Sequence, residues 1–253
     1  MTAPSAAASR MELAPGVFAL PGRLLWLEGS RALVAADAHL GYEDVIGGAL
    51  PLWSTSEIAA TLCRTAAELG AREIVLLGDA LHGARMNEGA ASTVRAALDS
   101  MRSVCTVTAI AGNHEGPSRG VAILGEVEDA VERDGWLLLH GDRPGAGAFA
   151  PRIVGHLHPC IALGSDRSMP AFVSSSRLVV VPALTPYSHG LSVLSEDMAA
   201  ALEAFGTRTR DAHVVASGDD RVFPFGTLSR LRAALRTPRG AHRRRRTYLL
   251  PDR

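Results

Sequence analysis

Five short runs of histidine, aspartate and asparagine interrupt the first two-thirds of the chain, and each follows an apolar segment. They are Ala36-Asp37-Ala38-His39, Leu77-Gly78-Asp79, Ala111-Gly112-Asn113-His114-Glu115, Leu139-His140-Gly141-Asp142 and Val154-Gly155-His156-Leu157-His158. Carboxylates, imidazoles and amide oxygens are ligands for hard and borderline divalent cations, and no cysteine lies among them. The pattern favours a hydrolytic pair of ions over a thiolate-bound structural zinc.

A pair of ions would suit the hydrolysis of phosphate esters. Two ions roughly 3.5–4 Å apart can activate water and neutralise the charge that develops on phosphorus. Such a pair needs a bridging carboxylate, and Asp79 is the only acid at the end of its predicted strand, where Gly78 allows a close backbone approach. The Asp-x-His and His-x-His runs are expected to present alternate side chains on one side of an extended backbone. Glycines 41, 78, 112, 141 and 155 are expected to make room in tight loops.

The segments between the runs predict a layered α/β fold. Strands are predicted over 17–20, 24–27, 31–36, 73–77, 104–110, 136–139, 152–154, 178–181 and 191–194, and helices over 54–70, 87–101 and 198–205. Ser54 and Glu57 are predicted to cap the first helix. Because ligands gather outside the carboxyl ends of strands in such folds, Asp37, Asp79 and Asn113 are expected to converge.

Charge is distributed unevenly along the chain. Residues 1–206 hold 14 Arg and 22 acidic residues, a net charge of −8, whereas residues 207–253 hold 12 Arg and 4 Asp, a net charge of +8. We predict one domain over 1–206 and a basic C-terminal extension over 207–253, partly disordered or packed on the core. Neither a secretory signal nor an apolar run of membrane-spanning length is expected, and the three widely spaced cysteines favour the cytoplasm.

The order of the five runs resembles the calcineurin-like metallophosphoesterase superfamily, whose pattern is D-x-H, GD, GNH[DE], H-G and GHxH. The chain is more similar still to the DNA ligase-associated metallophosphoesterases of bacteria and their archaeal relatives. Three segments carry this second resemblance: Asp37 to Gly41, Gly78 to His82, and Pro182 to Gly190. The resemblance covers roughly residues 12–200 and implies a four-layer α/β/β/α sandwich.

The resemblance also implies two sets of metal ligands that share Asp79. The first set is Asp37, His39, Asp79 and His158, and the second is Asp79, Asn113, His140 and His156. His114 would be catalytic, protonating the leaving alkoxide or stabilising charge on the phosphoryl oxygens. His82 would contact substrate, hydrogen-bond to a ligand from outside the coordination shell, or cap its loop. Asp142 stands where some relatives have a second histidine, which leaves the substrate preference open.

The implied function is hydrolysis of phosphodiester bonds by metal-activated hydroxide, in a DNA endonuclease that acts on single-stranded DNA alongside DNA repair proteins. Two divalent ions are expected, with Mn²⁺ favoured and Zn²⁺, Fe²⁺ and Ni²⁺ as alternatives. Two other functions stay open: a small-molecule (cyclic) nucleotide phosphodiesterase or phosphatase, and a non-catalytic metal-binding partner in a repair complex. A basic strip leading to the metals would favour the nuclease, whereas a closed base pocket would favour the nucleotide enzyme. The oligomeric state is not predicted.

Other polar and aromatic residues receive simpler interpretations. Glu115 and Asp142 are predicted to accept hydrogen bonds from ligand imidazoles and so to fix their tautomers. Trp53 and Trp136 are predicted to be core residues and not base-stacking platforms. His189 is interpreted as part of a structural loop. The run Arg243–Arg246 is either a solvated tail or a nucleic-acid contact.

Overall fold

Two β-sheets whose apolar faces meet form the centre of the protein. The computed structural model describes residues 9–45, 53–83, 85–118, 120–143, 150–162, 168–188 and 190–236, and the elements below belong to these ranges. The predicted roles of His189 and of the Arg243–Arg246 run lie outside the described residues.

The first sheet has seven strands within the described ranges, ordered from edge to edge as they occur in the chain. They are β1 (Met11–Ala14), β2 (Val17–Ala19), β3 (Leu25–Leu27), β4 (Ala32–Ala36), β5 (Glu73–Leu77), β6 (Thr106–Ile110) and β7 (Val127–Glu128). The first four strands are antiparallel, and β4 to β7 run parallel. The carboxyl ends of β4, β5 and β6 therefore share one edge.

The second sheet is mixed. Its strands are β8 (Ala130–Arg133), β9 (Trp136–Leu139), β10 (Arg152–Val154), β11 (Pro159–Ala162), β12 (Ser168–Ser174), β13 (Leu178–Val180), β14 (Leu191–Ser192), β15 (His213–Ser217) and β16 (Val222–Thr227). The main path is β14-β11-β12-β13-β10-β9-β8, and β15 pairs with both β12 and β16. Strands β9, β10 and β13 are parallel, so their carboxyl ends also share an edge.

Six α-helices occur in the described ranges. They are α1 (Tyr42–Val45), α2 (Trp53–Leu69), α3 (Glu88–Val104), α4 (Val121–Leu124), α5 (Glu196–Ala204) and α6 (Leu228–Arg236). Asn87 caps α3 by accepting a hydrogen bond from the backbone N–H of Ala90, and Ser195 caps α5 in the same way through that of Met198. None of these helices combines the length and the apolar composition that crossing a bilayer requires.

Alternating side chains of the strands divide the core into three apolar layers. In β4, Leu33 and Ala35 pack against α2 and α3, whereas Val34 and Ala36 face the second sheet. The far face of the second sheet packs on α5 and α6, where Met198 and Leu231 are buried. The order is helices, sheet, sheet, helices, which confirms the predicted α/β sandwich.

Several predicted elements differ from those observed. The segment after Gly206, which lacks clear periodicity, forms β15, β16 and α6, and β15 joins the second sheet. The division into 1–206 and 207–253 stays a prediction. The predicted capping by Ser54 is wrong, because this residue lies inside α2 and its hydroxyl donates to Glu43. Trp136 is buried as predicted, but Trp53 is 72% exposed, so the core assignment of Trp53 is wrong.

Phe172 lies between the two sheets and has no exposed surface. We expect Phe172→Ala to lower the free energy of unfolding by about 3–5 kcal/mol, since the cavity cannot be filled by neighbours on both sheets. Chemical denaturation followed by circular dichroism measures this loss. Phe225→Ala, at a side chain in β16 that is 39% exposed, is the control and should cost about 1 kcal/mol or less. Equal losses for both variants would contradict the position of Phe172 in the core.

Candidate metal centre

The five polar runs meet because each follows a strand whose carboxyl end lies at the same side of the sandwich. Asp37 follows β4 directly, and Asp79 lies two residues after β5. From the second sheet, His140 follows β9 directly, and His156 lies two residues after β10. The sheets are joined at this point by a parallel bridge between Ala36 and Ala183. The site is therefore assembled from both sheets.

Backbone conformation at the runs differs from the predicted extended form. Five of the candidate ligands have positive φ angles: Asp37 (50°), His39 (47°), Asp79 (43°), His156 (60°) and His158 (43°). This left-handed region is unusual for residues other than glycine, and such conformations cluster at functional sites. The predicted alternation of side chains along extended Asp-x-His and His-x-His runs is therefore wrong, because tight turns and not extended strands direct these side chains.

Asp37, His39 and His158 form the first group of candidate ligands, with one donor atom of each lying within 4.8 Å of the others. The His158 Nε2 and the Asp37 Oδ1 are 3.2 Å apart. Both atoms are buried. They do not meet hydrogen-bond geometry with each other, and neither has a hydrogen-bond partner elsewhere among the described residues. A buried polar atom without a partner is costly, so the pair is suited to holding a cation between them.

The second group is centred on the His140 Nε2. This atom lies 3.3 Å from the Asp79 Oδ2, 2.9 Å from the Asn113 Oδ1 and 3.1 Å from the His156 Nδ1. Two imidazole nitrogens, a carboxylate oxygen and an amide oxygen thus converge on one point, which is a typical ligand set for a catalytic divalent ion. The structure places Asp79 with this group, and its role as a bridge to the first group stays a prediction.

Each of the two carboxylates also ties a neighbouring loop in place. The Asp37 Oδ2 accepts the backbone N–H of His156 at 2.9 Å, and the Asp79 Oδ1 accepts that of His114 at 2.8 Å. Each aspartate therefore uses one oxygen to position another candidate residue and directs its second oxygen at a histidine. The His140 Nδ1 lies 3.6 Å from the Asp37 Oδ1, which connects the two groups.

The electrostatics of the centre favour a neutral His39 and an ionised Asp79. Burial lowers the pKa of His39 to about 4, and the nearby His114 and His82 add to this effect against the opposing pull of Asp37 and Asp79. Burial would raise the pKa of Asp79, but the hydrogen bond and charge of His140 outweigh it and lower that pKa to about 2. A neutral imidazole and an ionised carboxylate are the forms that bind metal ions.

His140 differs from His39 and His156 in the direction of its pKa shift. Burial would lower its pKa, but the hydrogen bond to Asp79 and the charges of Asp37, Asp79 and Asp142 raise it above the ordinary value. For His156, burial and the neighbouring His140 lower the pKa. The carboxylates therefore create a field that attracts positive charge to the candidate metal centre at the strand ends.

Two further histidines border the first group. The His82 Nδ1 lies 3.1 Å from the His39 Nδ1, so one ring donates a hydrogen bond to the other and their tautomers are linked. The His114 Nδ1 lies 3.1 Å from the carbonyl oxygen of His82, and its Nε2 is 3.9 Å from the Asp79 Oδ2. Donor atoms of His39, His82 and His114 also lie within 4.8 Å of one another. Their predicted roles in substrate binding and catalysis stay predictions.

Three glycines make room for the candidate donor residues, because a side chain at any of them would overlap one of these residues. A β-carbon at Gly112 would lie 2.1 Å from both the backbone nitrogen and the Oδ1 of Asp79. At Gly78 it would lie 2.2 Å from the His140 Nδ1, and at Gly155 it would lie 2.6 Å from the Asp37 Oδ2. All three distances are shorter than non-bonded atoms tolerate, so the donor positions depend on these glycines.

The predicted role of Glu115 is wrong. It is fully buried and accepts the backbone N–H groups of Leu81 and Gly112, so it ties two loops together and does not fix an imidazole. Asp142 pairs with Arg143 at 3.5 Å and affects His140 through its charge. An open cavity of about 580 Å³, lined in part by Asn113, His140 and Asp142, adjoins the second group.

Sequence reasoning missed two residues that support the centre. Ser188 lies with its hydroxyl 2.5 Å from the His158 Nδ1, which leaves the His158 Nε2 directed at Asp37. Tyr42 contacts the His82 ring at a centroid distance of 4.3 Å. Their positions gave a signal, because Ser188 lies in the Pro182–Gly190 segment and Tyr42 directly follows Gly41.

We expect Gly112→Ala to weaken the binding of divalent ions about 10- to 100-fold, the range observed when the support of a ligand is lost. The added methyl group would overlap the backbone nitrogen and the Oδ1 of Asp79, so Asp79 would have to move from its present position. Isothermal titration with Mn²⁺ measures the change. The control is Gly89→Ala in α3, where the nearest atom outside the helix backbone is the Asn87 Oδ1 at 3.3 Å. Unchanged Mn²⁺ affinity in a folded Gly112→Ala protein would show that Asp79 does not bind the ion.

The comparison with known proteins supports the fold. The structure is similar to the crystal structure of the Pseudomonas putida nuclease MPE, with a TM-score of 0.63 and 23% sequence identity. The match covers 82% of this chain and 94% of that one. No protein-family model matches the sequence, and no curated protein matches it. The chain therefore shares the fold of this nuclease over most of its length.

Proposed function

We propose that this protein is a divalent-metal-dependent phosphodiesterase that cleaves single-stranded DNA. The observation that carries the proposal is the convergence of the Asp79, Asn113, His140 and His156 donors next to the unpartnered Asp37 and His158 atoms. Structural sites usually close their coordination shell with four protein ligands, often thiolates. A centre of oxygen and imidazole donors beside an open cavity instead suits substrate hydrolysis.

The residues present fit two ions. Asp37, His39 and His158 would hold one, and Asn113, His140 and His156 would hold the other, with Asp79 between them. Bound there, divalent ions would supply Lewis acidity to activate water and to neutralise charge on the phosphoryl group. Mn²⁺ is the ion we favour, because the resemblance to the ligase-associated metallophosphoesterases implies it and because carboxylate and amide oxygens suit it.

His114 is the residue that we assign to proton transfer. A carbonyl oxygen can only accept, so the His114 Nδ1 donates its proton to the carbonyl of His82. That bond orients the ring and leaves the Nε2 to hold or release a proton. The side chain is 40% exposed, so a substrate oxygen can reach it. His82 positions the site, because its own ring shares a hydrogen bond with His39.

A nucleic-acid substrate is supported by two separate likenesses, of which the second, to the ligase-associated group, implies single-stranded DNA. The Pseudomonas putida protein that shares the fold is named as a nuclease. Three segments of this chain, Asp37 to Gly41, Gly78 to His82 and Pro182 to Gly190, resemble the ligase-associated group, which also supports a role in DNA repair with repair proteins as partners. The widely spaced cysteines favour a cytoplasmic location. The acidic balance of residues 1–206 favours the alternative, a small nucleotide substrate.

A screen with Mn²⁺ tests the reaction class. It compares single-stranded DNA, duplex DNA, cyclic nucleotides and an aryl phosphodiester, each with and without a chelator. We expect chelator-sensitive cleavage of single-stranded DNA and of the aryl phosphodiester. A preference for cyclic nucleotides would establish the small-molecule alternative, and a Mn²⁺-loaded protein that cleaves none of these substrates would refute the proposal.

His114→Ala should lower turnover about 10²- to 10⁴-fold, the usual contribution of a general acid, while the metal content stays close to that of the wild type. Elemental analysis and steady-state cleavage of single-stranded DNA measure the two quantities. His213→Ala, which changes an exposed histidine in β15, is the matched control. A metal content that falls in step with turnover would instead make His114 a ligand.

Asp79→Asn should weaken the binding of both ions by at least about 100-fold. This exceeds the loss of affinity expected when a residue that only hydrogen-bonds to a ligand is removed. An amide carries no charge and cannot bridge two cations as a carboxylate does. Titration of the metal-free protein with Mn²⁺ gives affinity and stoichiometry. Asp99→Asn, at an exposed residue of α3 paired with Arg102, is the control. Two tightly bound ions in Asp79→Asn would disprove the bridging role.

A further inference from the structure

A stacked pair of tyrosines lies next to the candidate metal centre and has no part in the chemistry described above. The rings of Tyr42 and Tyr187 are 4.5 Å apart between centroids, and their planes differ by 13°. Tyr42 belongs to α1, whereas Tyr187 follows β13 in the second sheet. The pair therefore connects α1, which follows the first sheet, to the segment after β13 of the second sheet.

The pair continues directly into the histidines of the centre. Tyr42 packs edge-on against His82 at 4.3 Å, and His82 is 5.0 Å from His114. The ring of His39 lies 4.9 Å from that of His82. Only the Tyr42 ring lies between Tyr187 and His82, with centroid distances of 4.5 Å and 4.3 Å. One substrate can therefore contact both Tyr187 and the centre.

A buried carboxylate, that of Glu43, holds the Tyr187 ring in place. The Tyr187 hydroxyl donates to the Glu43 Oε1 at 3.3 Å. The same oxygen accepts the backbone N–H of Ser54 at 2.9 Å and its hydroxyl at 2.5 Å. Burial would raise the pKa of Glu43, but these hydrogen bonds lower it, so the carboxylate stays ionised and the anchor persists at neutral pH. The ring is therefore oriented before any ligand binds.

The aromatic surface beside the centre stays exposed. Tyr187 is 41% exposed although one of its faces lies against Tyr42. Trp53, which directly precedes Ser54 at the start of α2, is 72% exposed. Burial of a ring such as Tyr187 would stabilise the fold, so its exposure next to the candidate metal centre points to a ligand with a flat apolar surface.

We infer that Tyr187, backed by Tyr42, stacks a nucleobase of the single-stranded substrate and so positions the neighbouring phosphodiester at the metal centre. The inference rests on the proposed function and adds a residue that selects for nucleic acid. Stacking on an aromatic ring tolerates every base, since each base has a π-face. Duplex DNA keeps its bases paired and stacked on one another, so the surface would select for single strands.

The test compares an oligothymidylate with an abasic oligonucleotide of the same length, both cleaved in Mn²⁺. For the wild type, we expect kcat/KM to be roughly 5- to 150-fold higher with bases present, the range that corresponds to one stacked base. Tyr187→Leu should reduce this ratio to about one, because leucine fills space without a π-face. Tyr187→Phe should restore most of the ratio, since it keeps the ring and loses only the hydroxyl.

Phe225→Leu, at a ring in β16 with 39% exposure, is the matched control and should keep the wild-type ratio. A ratio near one for the wild type, or an unchanged ratio in Tyr187→Leu, would overturn the inference while cleavage of DNA leaves the proposed function intact. If neither oligonucleotide is cleaved, the proposed function itself fails. A loss of the ratio in Phe225→Leu would also overturn the inference, because the effect would not depend on the tyrosine pair.

Discussion

The whole centre depends on backbone held in a conformation that its residues ordinarily avoid. Asp37, His39 and Asp79 on one sheet, and His156 and His158 on the other, all have left-handed φ angles. Each such residue costs of the order of 1–3 kcal/mol, and the conformation persists only where surrounding contacts enforce it. Here the enforcing contacts are themselves part of the centre.

Those contacts are hydrogen bonds between neighbouring loops. The backbone N–H of Asp37 donates to the carbonyl of Gly78 at 3.3 Å, and that of His39 donates to the carbonyl of Asp79 at 3.0 Å. The carboxylate of Asp37 in turn accepts the N–H of His156. Candidate donors arranged this way would be positioned before an ion arrives, since hydrogen bonds between the loops hold them in place and the glycines leave room for them.

The sequence predicted the elements that position the centre better than the geometry of its loops. Strands β5, β9 and β10 have the predicted bounds, because each is an apolar run that stops at a glycine or histidine. The left-handed turns were missed, since no local pattern distinguishes them from extended backbone.

Glu115 was misassigned because its partners, the N–H groups of Leu81 and Gly112, are brought to it only by the folding of the chain. Helix α6 was missed because arginines dilute the apolar spacing of Leu228 and Leu231. Trp53 was misplaced because hydrophobicity alone does not show exposure.

The bridge between Ala36 and Ala183 has a consequence for the protein when ions are scarce. At this point the N–H of Leu184 donates to the carbonyl of Ala36, so the two sheets are hydrogen-bonded beside Asp37. An ion bound by donors from both sheets would resist their separation. Ligand binding to the folded state alone stabilises a protein by about 2.7 kcal/mol at a free concentration 100 times the dissociation constant. If the centre binds the ions that we propose, metal starvation would therefore shorten the lifetime of the folded chain in the presence of proteases.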